Sequence, residues 1–439
     1  MSTYQDTIDY LYSKLPMFSR IGAAAIKKDL DNTIAICDFL GNPQKKFKTI
    51  HIAGTNGKGS TSHMLASIFQ EAGYKTGLYT SPHLYDFRER IKVDGQMCSE
   101  PFVTSFTNKI KPLIEQIEPS FFEITVGMAF DHFAQEKCDI AIIETGLGGR
   151  LDSTNIITPE LSIITNIGMD HMALLGNTLT EIANEKAGII KSETPVVISE
   201  ALPETKLVFD EKAASVNAPI YYAEDFLTLK SFQNYGDNAL FEFTQPLIHY
   251  LDAPVFQKNF TVESDLTGKY QIKNVKGVLV AVQLLSTMGW RLTSPTIFKA
   301  LAKVKKNTGL MGRWECIQNS PKLILDVAHN VHGIQALLEQ LDTMHFNTLH
   351  IVIGMVKDKD FDAVLSLLPQ NAHYYFTQSH IPRALPADEL AAKGNVLGLN
   401  GETYEQVDNA IEAAKKNAAP SDLILVMGSV FLIAEVNRK

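Results

Sequence analysis

The stretch Lys48-Thr-Ile-His-Ile-Ala-Gly-Thr-Asn-Gly-Lys-Gly-Ser-Thr61 decides how the rest of the chain is read. A short β-branched apolar run enters a glycine-rich turn, and an apolar-periodic segment with Met64, Leu65, Ile68 and Phe69 leaves it. That order is strand, loop, helix. Gly54, Gly57 and Gly59 free the backbone to aim several N–H groups at a phosphate, and the helix N-terminus adds partial positive charge. Lys58 is placed to bridge β- and γ-phosphates, and Ser60 to offer a hydroxyl to Mg2+. Against the standard phosphate-loop spacing, the first glycine falls on Ile52, and Gly59 separates Lys58 from Ser60. The plain alternative is a generic glycine-rich turn between a strand and a helix.

Moving outward, apolar runs alternate with longer helix-period segments. Asp139–Thr145, Leu161–Ile167 and Pro195–Ser199 follow in the first part; Lys322–Val327, Leu349–Met355, His373–Thr377 and Leu423–Gly428 follow in the second. This alternation is the signature of βα units on a parallel sheet. We therefore expect an α/β chain: a large P-loop NTPase-like N-terminal domain with a mostly parallel sheet over residues 1–305, a linker at 306–312, and a smaller Rossmann-like α/β domain over 313–439. Asn274–Met288 and Pro295–Lys305 read as helices. Glu200–Phe260 is irregular and aromatic, compatible with short antiparallel strands whose positions the sequence leaves open.

Composition removes several function classes. The net charge is −9 and no basic stripe is present, which argues against nucleic acid as a partner. Cys37, Cys98, Cys138 and Cys316 are scattered without a CxxC pair, so neither a disulfide framework nor a zinc site is expected, and a reducing cytoplasm fits. Met1–Arg20 lacks the apolar core of a signal peptide. No apolar run reaches the roughly 18 residues of a membrane span.

Other groups stand where nucleotide chemistry would use them. Glu144 ends an apolar strand, a position suited to a Mg2+ carboxylate, and His171 follows the next strand. Histidine is an unusual partner for Mg2+, which prefers oxygen. Lys186 lies near the end of a helical segment; composition alone makes it a surface lysine. Gly146-Leu-Gly-Gly-Arg150 also follows a strand, but Leu151 stands where a dinucleotide fingerprint needs glycine, which removes that reading.

Taken in order, Gly54–Ser60, Thr80-Ser-Pro-His-Leu84, Phe121-Phe-Glu-Ile-Thr125, Glu144–Asn155, Asp170-His171, Glu185-Lys-Ala-Gly-Ile189, Gly312-Arg313, Asp326-Val-Ala-His-Asn330 and Gly354–Lys359 resemble the folylpolyglutamate/dihydrofolate synthase family, relatives of the Mur peptide ligases. The resemblance spans about residues 40 to 430. It implies that Asn56, Gly57, Lys58, Gly59, Ser60 and Asn274 hold ATP. Ser60, Ser81, Glu144, His171 and Lys186 would surround Mg2+, with Lys186 carbamylated. In the second domain, Asp326 would meet the ribose, His329 the phosphates, and Arg313 the transferred phosphoryl group, which its fixed charge and fork geometry suit. Lys58, Lys186, His329 and Arg313 are the catalytic candidates. Ser81, His83, Phe122, Glu123, Thr125, Leu151, Asp152 and Ser153 are the acceptor-binding candidates, with core packing the alternative for Phe121 and Phe122. Local hydrogen bonding at a strand end is the alternative for Asp326 and His329.

Two departures stand out. The adenine-contacting motif of the family, His-Gln-x-x-Asn, reads Tyr270-Gln-Ile-Lys-Asn274 here, and Met311 replaces a proline. The implied activity is ATP-dependent addition of L-glutamate to dihydropteroate or a reduced folate by way of an acyl phosphate, carried out by a cytoplasmic monomer. His83 favours both acceptors. A Mur-type ligase with another carboxylate acceptor is the nearest rival, but only about 45 residues precede the phosphate loop, too few for a uridine-binding domain. A P-loop kinase or ATPase would have no use for the Lys186 motif. A non-catalytic nucleotide-binding module would show no turnover dependent on folate and glutamate.

Overall fold

The computed structural model describes residues 3–17, 22, 27, 29–235, 237–245, 255–357 and 359–438. Parts of the N-terminal segment, of the 200–260 segment and of the Gly354–Lys359 motif lie outside them. The strands of the first sheet are β1 (Lys48–Ala53), β2 (Thr76–Tyr79), β3 (Ile91–Val93), β4 (Gln96–Met97), β5 (Ile140–Glu144), β6 (Leu161–Ile164), β7 (Val196–Ile198) and β8 (Ile220–Tyr222). Their order is β4-β3-β2-β5-β1-β6-β7-β8. From β2 to β8 every neighbour is parallel; β3 and β4 add an antiparallel edge. β1 lies at the centre, with β5 on one side and β6 on the other, and its chain leaves from the carboxyl edge where open parallel sheets bind ligands.

Helices cover both faces, which is why the parallel strands are apolar along their length. On one face, Ile50 and Ile52 pack with the helices Lys58–Glu71 and Gln271–Thr287. On the other, Ala141 and Ile143 pack with Glu100–Ile117 and Phe121–Gln135. The aromatic segment resolves into an antiparallel sheet of β9 (Thr228–Tyr235), β10 (Asn238–Thr244) and β11 (Asn259–Ser264), whose Phe241 and Phe243 join the first core.

A further six-stranded sheet consists of β12 (Glu315–Asn319), β13 (Lys322–Asp326), β14 (Leu349–Gly354), β15 (His373–Phe376), β16 (Gly401–Thr403) and β17 (Leu423–Gly428). Its order is β12-β13-β17-β14-β15-β16, parallel except for β12. It has its own core, built on Ile351, Ile353, Leu425 and Met427.

The chain divides into two compact units: Met1–Gly168, Met172–Thr267 and Gln271–Leu310 form the first, and Met169–His171, Gly268–Tyr270 and Met311–Lys439 the second. Two features differ from the sequence expectation. The stretch expected as a linker begins inside a helix, Val304–Thr308. Val304 and Thr308 are fully buried, Lys92 Nζ donates to the Thr308 carbonyl at 2.8 Å, and His63 Nδ1 lies 2.7 Å from Thr308 Oγ1. The second difference is that two tripeptides far from the C-terminus, 169–171 and 268–270, group with the second unit. Among the described residues no helix is long and apolar enough to cross a membrane.

Candidate active site

The phosphate loop is built from backbone constraints. Gly57 has φ +87°, and a Cβ there would fall 2.2 Å from Asn274 Oδ1. At Gly54 a Cβ would fall 1.8 Å from Thr165 Oγ1. Thr165 Oγ1 donates to the Asn56 carbonyl at 2.6 Å, and Asn56 N donates to Asn166 Oδ1 at 2.8 Å, so the end of β6 fixes the turn. Lys58 opens the helix Lys58–Glu71 and donates to the carbonyls of Gly54 at 2.9 Å and Thr55 at 3.2 Å. Gln271 Nε2 donates to Ser60 Oγ at 3.0 Å, and Asn274 Nδ2 donates to Gln271 Oε1 at 2.8 Å. The two family-motif residues that remain, Gln271 and Asn274, thus bear directly on the loop.

Lys186 is not a surface lysine. It is 4 % exposed, and its Nζ donates to the Gly54 carbonyl at 3.0 Å. The helix Leu179–Ala187 carries it there, started by a capping box of Thr178 and Glu181. Glu144 closes β5 and is also buried. Ser60 is buried, while Ser81 is half-buried next to the cis Ser81–Pro82 peptide. For Mg2+, the hydroxyls of Ser60 and Ser81 and the Glu144 carboxylate are oxygen donors of the right chemistry. Lys186, an unmodified lysine here, is a donor to the Gly54 carbonyl and not an oxygen ligand. Among the described residues no three His, Cys, Asp or Glu side chains gather into a metal-binding group.

Several acceptor-site candidates divide by environment. Phe121 is core, with its ring 5.8 Å from that of Phe87, whereas Phe122 is half-exposed and its ring covers Gly146. Glu123 accepts from Ser120 N at 2.6 Å and from Asn32 Nδ2 at 3.3 Å, so its carboxylate caps the helix Phe121–Gln135. Thr125 Oγ1 lies 2.9 Å from the Tyr79 hydroxyl. Asp152 is buried, caps Ser153–Ile156, and accepts from Leu147 N at 2.8 Å. Leu151 and Ser153 flank it, half-buried.

His83 brings in a residue the sequence reading passed over. Arg90 Nε donates to His83 Nδ1 at 2.8 Å, and the guanidinium lies 5.4 Å from the centre of the Phe121 ring. Arg90 is 8 % exposed. Burial first, and the Arg90 charge second, push the His83 imidazole down to about 3. A neutral His83 can accept from Arg90, so the pair is self-consistent. The sequence signal was a charged Arg-Glu-Arg run, which reads by default as solvated surface.

In the second unit, Asp326 ends β13 and is 4 % exposed. It accepts from the Tyr270 hydroxyl at 2.8 Å, Trp314 N at 2.8 Å and Ala328 N at 2.9 Å. Tyr270, the departure from the family motif, therefore holds the carboxylate proposed for ribose. Arg313 Nη1 donates to its neighbour's carbonyl at Gly312, 3.1 Å away. His329 Nδ1 donates to the Val327 carbonyl at 2.8 Å, and its Nε2 lies 3.6 Å from Asp170 Oδ2. Asp170 also receives the Lys359 ammonium and, at 3.2 Å, Asn330 Nδ2. Burial alone would raise the Asp170 carboxyl, but His329 and Lys359 outweigh it and hold it far below the usual carboxylate range. His171 belongs to this cluster: its Nε2 is 3.2 Å from Lys359 Nζ.

The Mur ligase middle domain matches residues 52–282, and the Mur ligase glutamate ligase domain matches residues 312–430. A dihydrofolate synthase/folylpolyglutamate synthase of Bacillus subtilis is 32% identical over 100% of this chain and 99% of its own length. Among solved structures, Escherichia coli FolC in complex with DHPP and ADP superposes with a TM-score of 0.81 at 29% identity, covering 99% of this chain and 96% of that one. The bifunctional folylpolyglutamate synthase/dihydrofolate synthase of Yersinia pestis, complexed with AMPPNP and Mn ion, gives a TM-score of 0.80 at 28% identity, covering 99% and 97%. The chain belongs to the dihydrofolate synthase/folylpolyglutamate synthase family, within the Mur ligases.

Proposed function

We propose that this chain is an ATP-dependent amide ligase that adds L-glutamate to dihydropteroate and to a reduced folate, as a cytoplasmic monomer. The observation that carries the reading is the convergence of Lys58 and Lys186 on the Gly54 carbonyl, at the N-terminus of the helix Lys58–Glu71. A carboxylate resists attack by an amine because oxide is a poor leaving group. Transfer of the ATP γ-phosphoryl to the acceptor carboxylate makes an acyl phosphate and ADP. The glutamate amine adds to its carbonyl, and inorganic phosphate leaves with the C–O bonding pair as the amide forms and a proton is lost.

The protein's share is positioning and charge. The N–H groups of Gly57, Gly59 and Ser60, with Lys58, suit the phosphates. Magnesium held by Ser60, Ser81 and Glu144 would supply neutralising charge to the transferring phosphoryl. Carbamylation of Lys186, addition of its neutral amine to CO2 with loss of a proton, would turn a donor into an oxygen ligand in a buried site. Phe122, Asp152 and their neighbours suit a flat, hydrogen-bonding acceptor. Within the second unit, Asp326, Arg313 and His329 are the groups suited to a nucleotide.

The test is conversion of ATP to ADP with Mg2+ and L-glutamate, with dihydropteroate in one series and tetrahydrofolate in another. Turnover in both is the expected result. Turnover in one alone reduces the assignment to that activity. Silence in both, from folded protein that binds ATP, overturns the folate acceptor and leaves a Mur-type ligase with a different carboxylate substrate.

A further inference from the structure

His51 occupies the middle of β1 with no exposed surface, alternating between Ile50 and Ile52. A strand covered on both faces ordinarily takes an apolar side chain there. Its Nε2 lies 2.8 Å from Thr154 Oγ1, and its Nδ1 is buried without a hydrogen-bond partner among the described residues. A polar group kept in a core at the cost of an unpartnered nitrogen calls for a reason other than packing.

The direction of the bonds supplies one. Burial raises the Asp152 carboxyl, while hydrogen bonds from Thr154 Oγ1 and from the N–H groups of Leu147, Thr154 and Gly146 act against that. With the carboxyl ionised, Thr154 Oγ1 donates to Asp152 Oδ1, because a carboxylate can only accept. With its hydrogen committed, the same oxygen can only accept from His51, which fixes the imidazole as the neutral form protonated at Nε2. Burial, with a smaller push from Lys191, takes the His51 imidazole down to about 3, in keeping with a neutral ring. Thr154 N gives Asp152 Oδ1 a second hydrogen bond at 3.0 Å, and Leu147 N holds Oδ2 at 2.8 Å.

We propose that His51 and Thr154 are positioning residues for the acceptor: the line His51–Thr154–Asp152, anchored in the central strand, holds the Asp152 carboxylate in the one orientation that binds the pteridine-bearing substrate. The proposal rests on the ligase reading and on Asp152 facing that substrate. Neither His51 nor Thr154 touches a reacting atom; both act through Asp152. The strand that supplies this anchor also leads into the phosphate loop three residues later, so one rigid element sets both ends of the reaction.

Thr154→Val keeps the side-chain shape and removes the hydroxyl. Its KM for dihydropteroate should rise by roughly tenfold or more, the scale of one hydrogen bond to a charged group. Its KM for ATP and its kcat at saturating acceptor should stay within about twofold, because an interaction lost equally from ground and transition states changes KM alone. Thr154→Ser should restore the wild-type KM. A merely structural role would lower the melting temperature and leave the KM for acceptor where it was. The second readout needs no turnover: nitrogen-15 spectra of histidine-labelled enzyme, with the His51 signal identified by its absence in His51→Leu. The wild type should show a neutral ring protonated at Nε2 from pH 8 to about pH 5, and Thr154→Val should shift that signal. An unchanged acceptor KM in folded Thr154→Val, or a wild-type His51 protonated at Nδ1, overturns the proposal. If the wild type turns over neither pteridine, the ligase reading fails, and the spectrum still decides whether the hydrogen-bond line exists.

Discussion

Lys186 Nζ donates to the main-chain oxygen of Gly54 at 3.0 Å, the same oxygen that Lys58 Nζ reaches at 2.9 Å. One lysine comes from the end of the loop and the other, 132 residues beyond Gly54, from the helix Leu179–Ala187. Removing either charge while keeping the stem separates chemistry from packing. Lys58→Met should lower kcat by about 10²- to 10³-fold, the range for losing one preorganised electrostatic contact. Lys186→Met should do the same. Circular dichroism should show both variants folded. Lys58→Met with undiminished kcat would remove Lys58 from phosphoryl transfer.

Gly57 and Gly73 form a natural pair of controls. Their φ values are +87° and +86°, but a Cβ at Gly57 would strike Asn274 Oδ1 at 2.2 Å, whereas a Cβ at Gly73 meets nothing within 4 Å. Alanine at either position should cost about 1–2 kcal/mol for the left-handed backbone. Only Gly57→Ala displaces Asn274 and reshapes the loop, so only it should weaken ATP binding, by roughly tenfold or more. Chemical denaturation gives the shared backbone cost and nucleotide titration gives the difference. Equal ATP affinities in the two variants would show that Asn274 does not set the loop.

Much of this architecture is written in local patterns. β1 and β17 have the bounds read from the sequence, Lys48–Ala53 and Leu423–Gly428. A β-branched or aliphatic run that stops at a glycine turn marks a strand covered on both faces, even where one polar residue such as His51 interrupts it. Burial brought about by distant residues is not legible in this way. Lys186 sits in a polar helix, yet it is buried with its Nζ on the carbonyl of Gly54, a residue distant in the chain. His171 follows a strand of the first sheet yet keeps company with Lys359 and Asp170, a grouping that no local pattern encodes. Arg90 reads as surface because its neighbours are charged, although its own side chain turns inward to His83. The helix Val304–Thr308 was masked by its lysines: Val304 and Thr308 are buried on one side, while Lys305 and Lys306 lie toward the other.

Two neutral histidines, His51 fully buried and His83 partly so, give the protein an acid-sensitive range. His51 and His83 both lie at about 3, against an ordinary value of 6.5, each displaced mainly by burial. Above 6.5 both are neutral whether the chain is folded or unfolded, and they add no pH dependence. Between 6.5 and 3 the unfolded chain binds protons that the folded chain refuses, so stability falls as pH falls. Urea midpoints should therefore be flat from pH 8 to 7 and should decline steadily from pH 6 to 4. His83→Gln, whose amide oxygen can still accept from Arg90, should flatten that decline. An equally steep decline in the variant would mean that other groups carry it.

Asp326 offers the sharpest separation of structure from chemistry in the second unit. Its buried carboxylate satisfies three donors: the Tyr270 hydroxyl, Trp314 N and Ala328 N. Burial, helped by the neighbouring Asp326 charge, raises the Tyr270 phenol well above its ordinary 10, so it donates throughout the neutral range. Asp326→Ala strands all three donors in a buried setting and should cost about 2–4 kcal/mol in unfolding free energy, since each unmade bond carries its own desolvation penalty. Tyr270→Phe leaves the carboxylate two partners and should cost only about 1 kcal/mol. In a double-mutant cycle built with Asp326→Asn, the Tyr270 hydroxyl should couple to the carboxylate by about 1 kcal/mol. A role in binding ribose adds a second effect: Asp326→Asn should raise the KM for ATP more than Tyr270→Phe does, because the phenol only holds the group that would make the contact. If Tyr270→Phe raised that KM as much as Asp326→Asn, while costing little stability, the tyrosine itself would be the nucleotide contact and the aspartate its support.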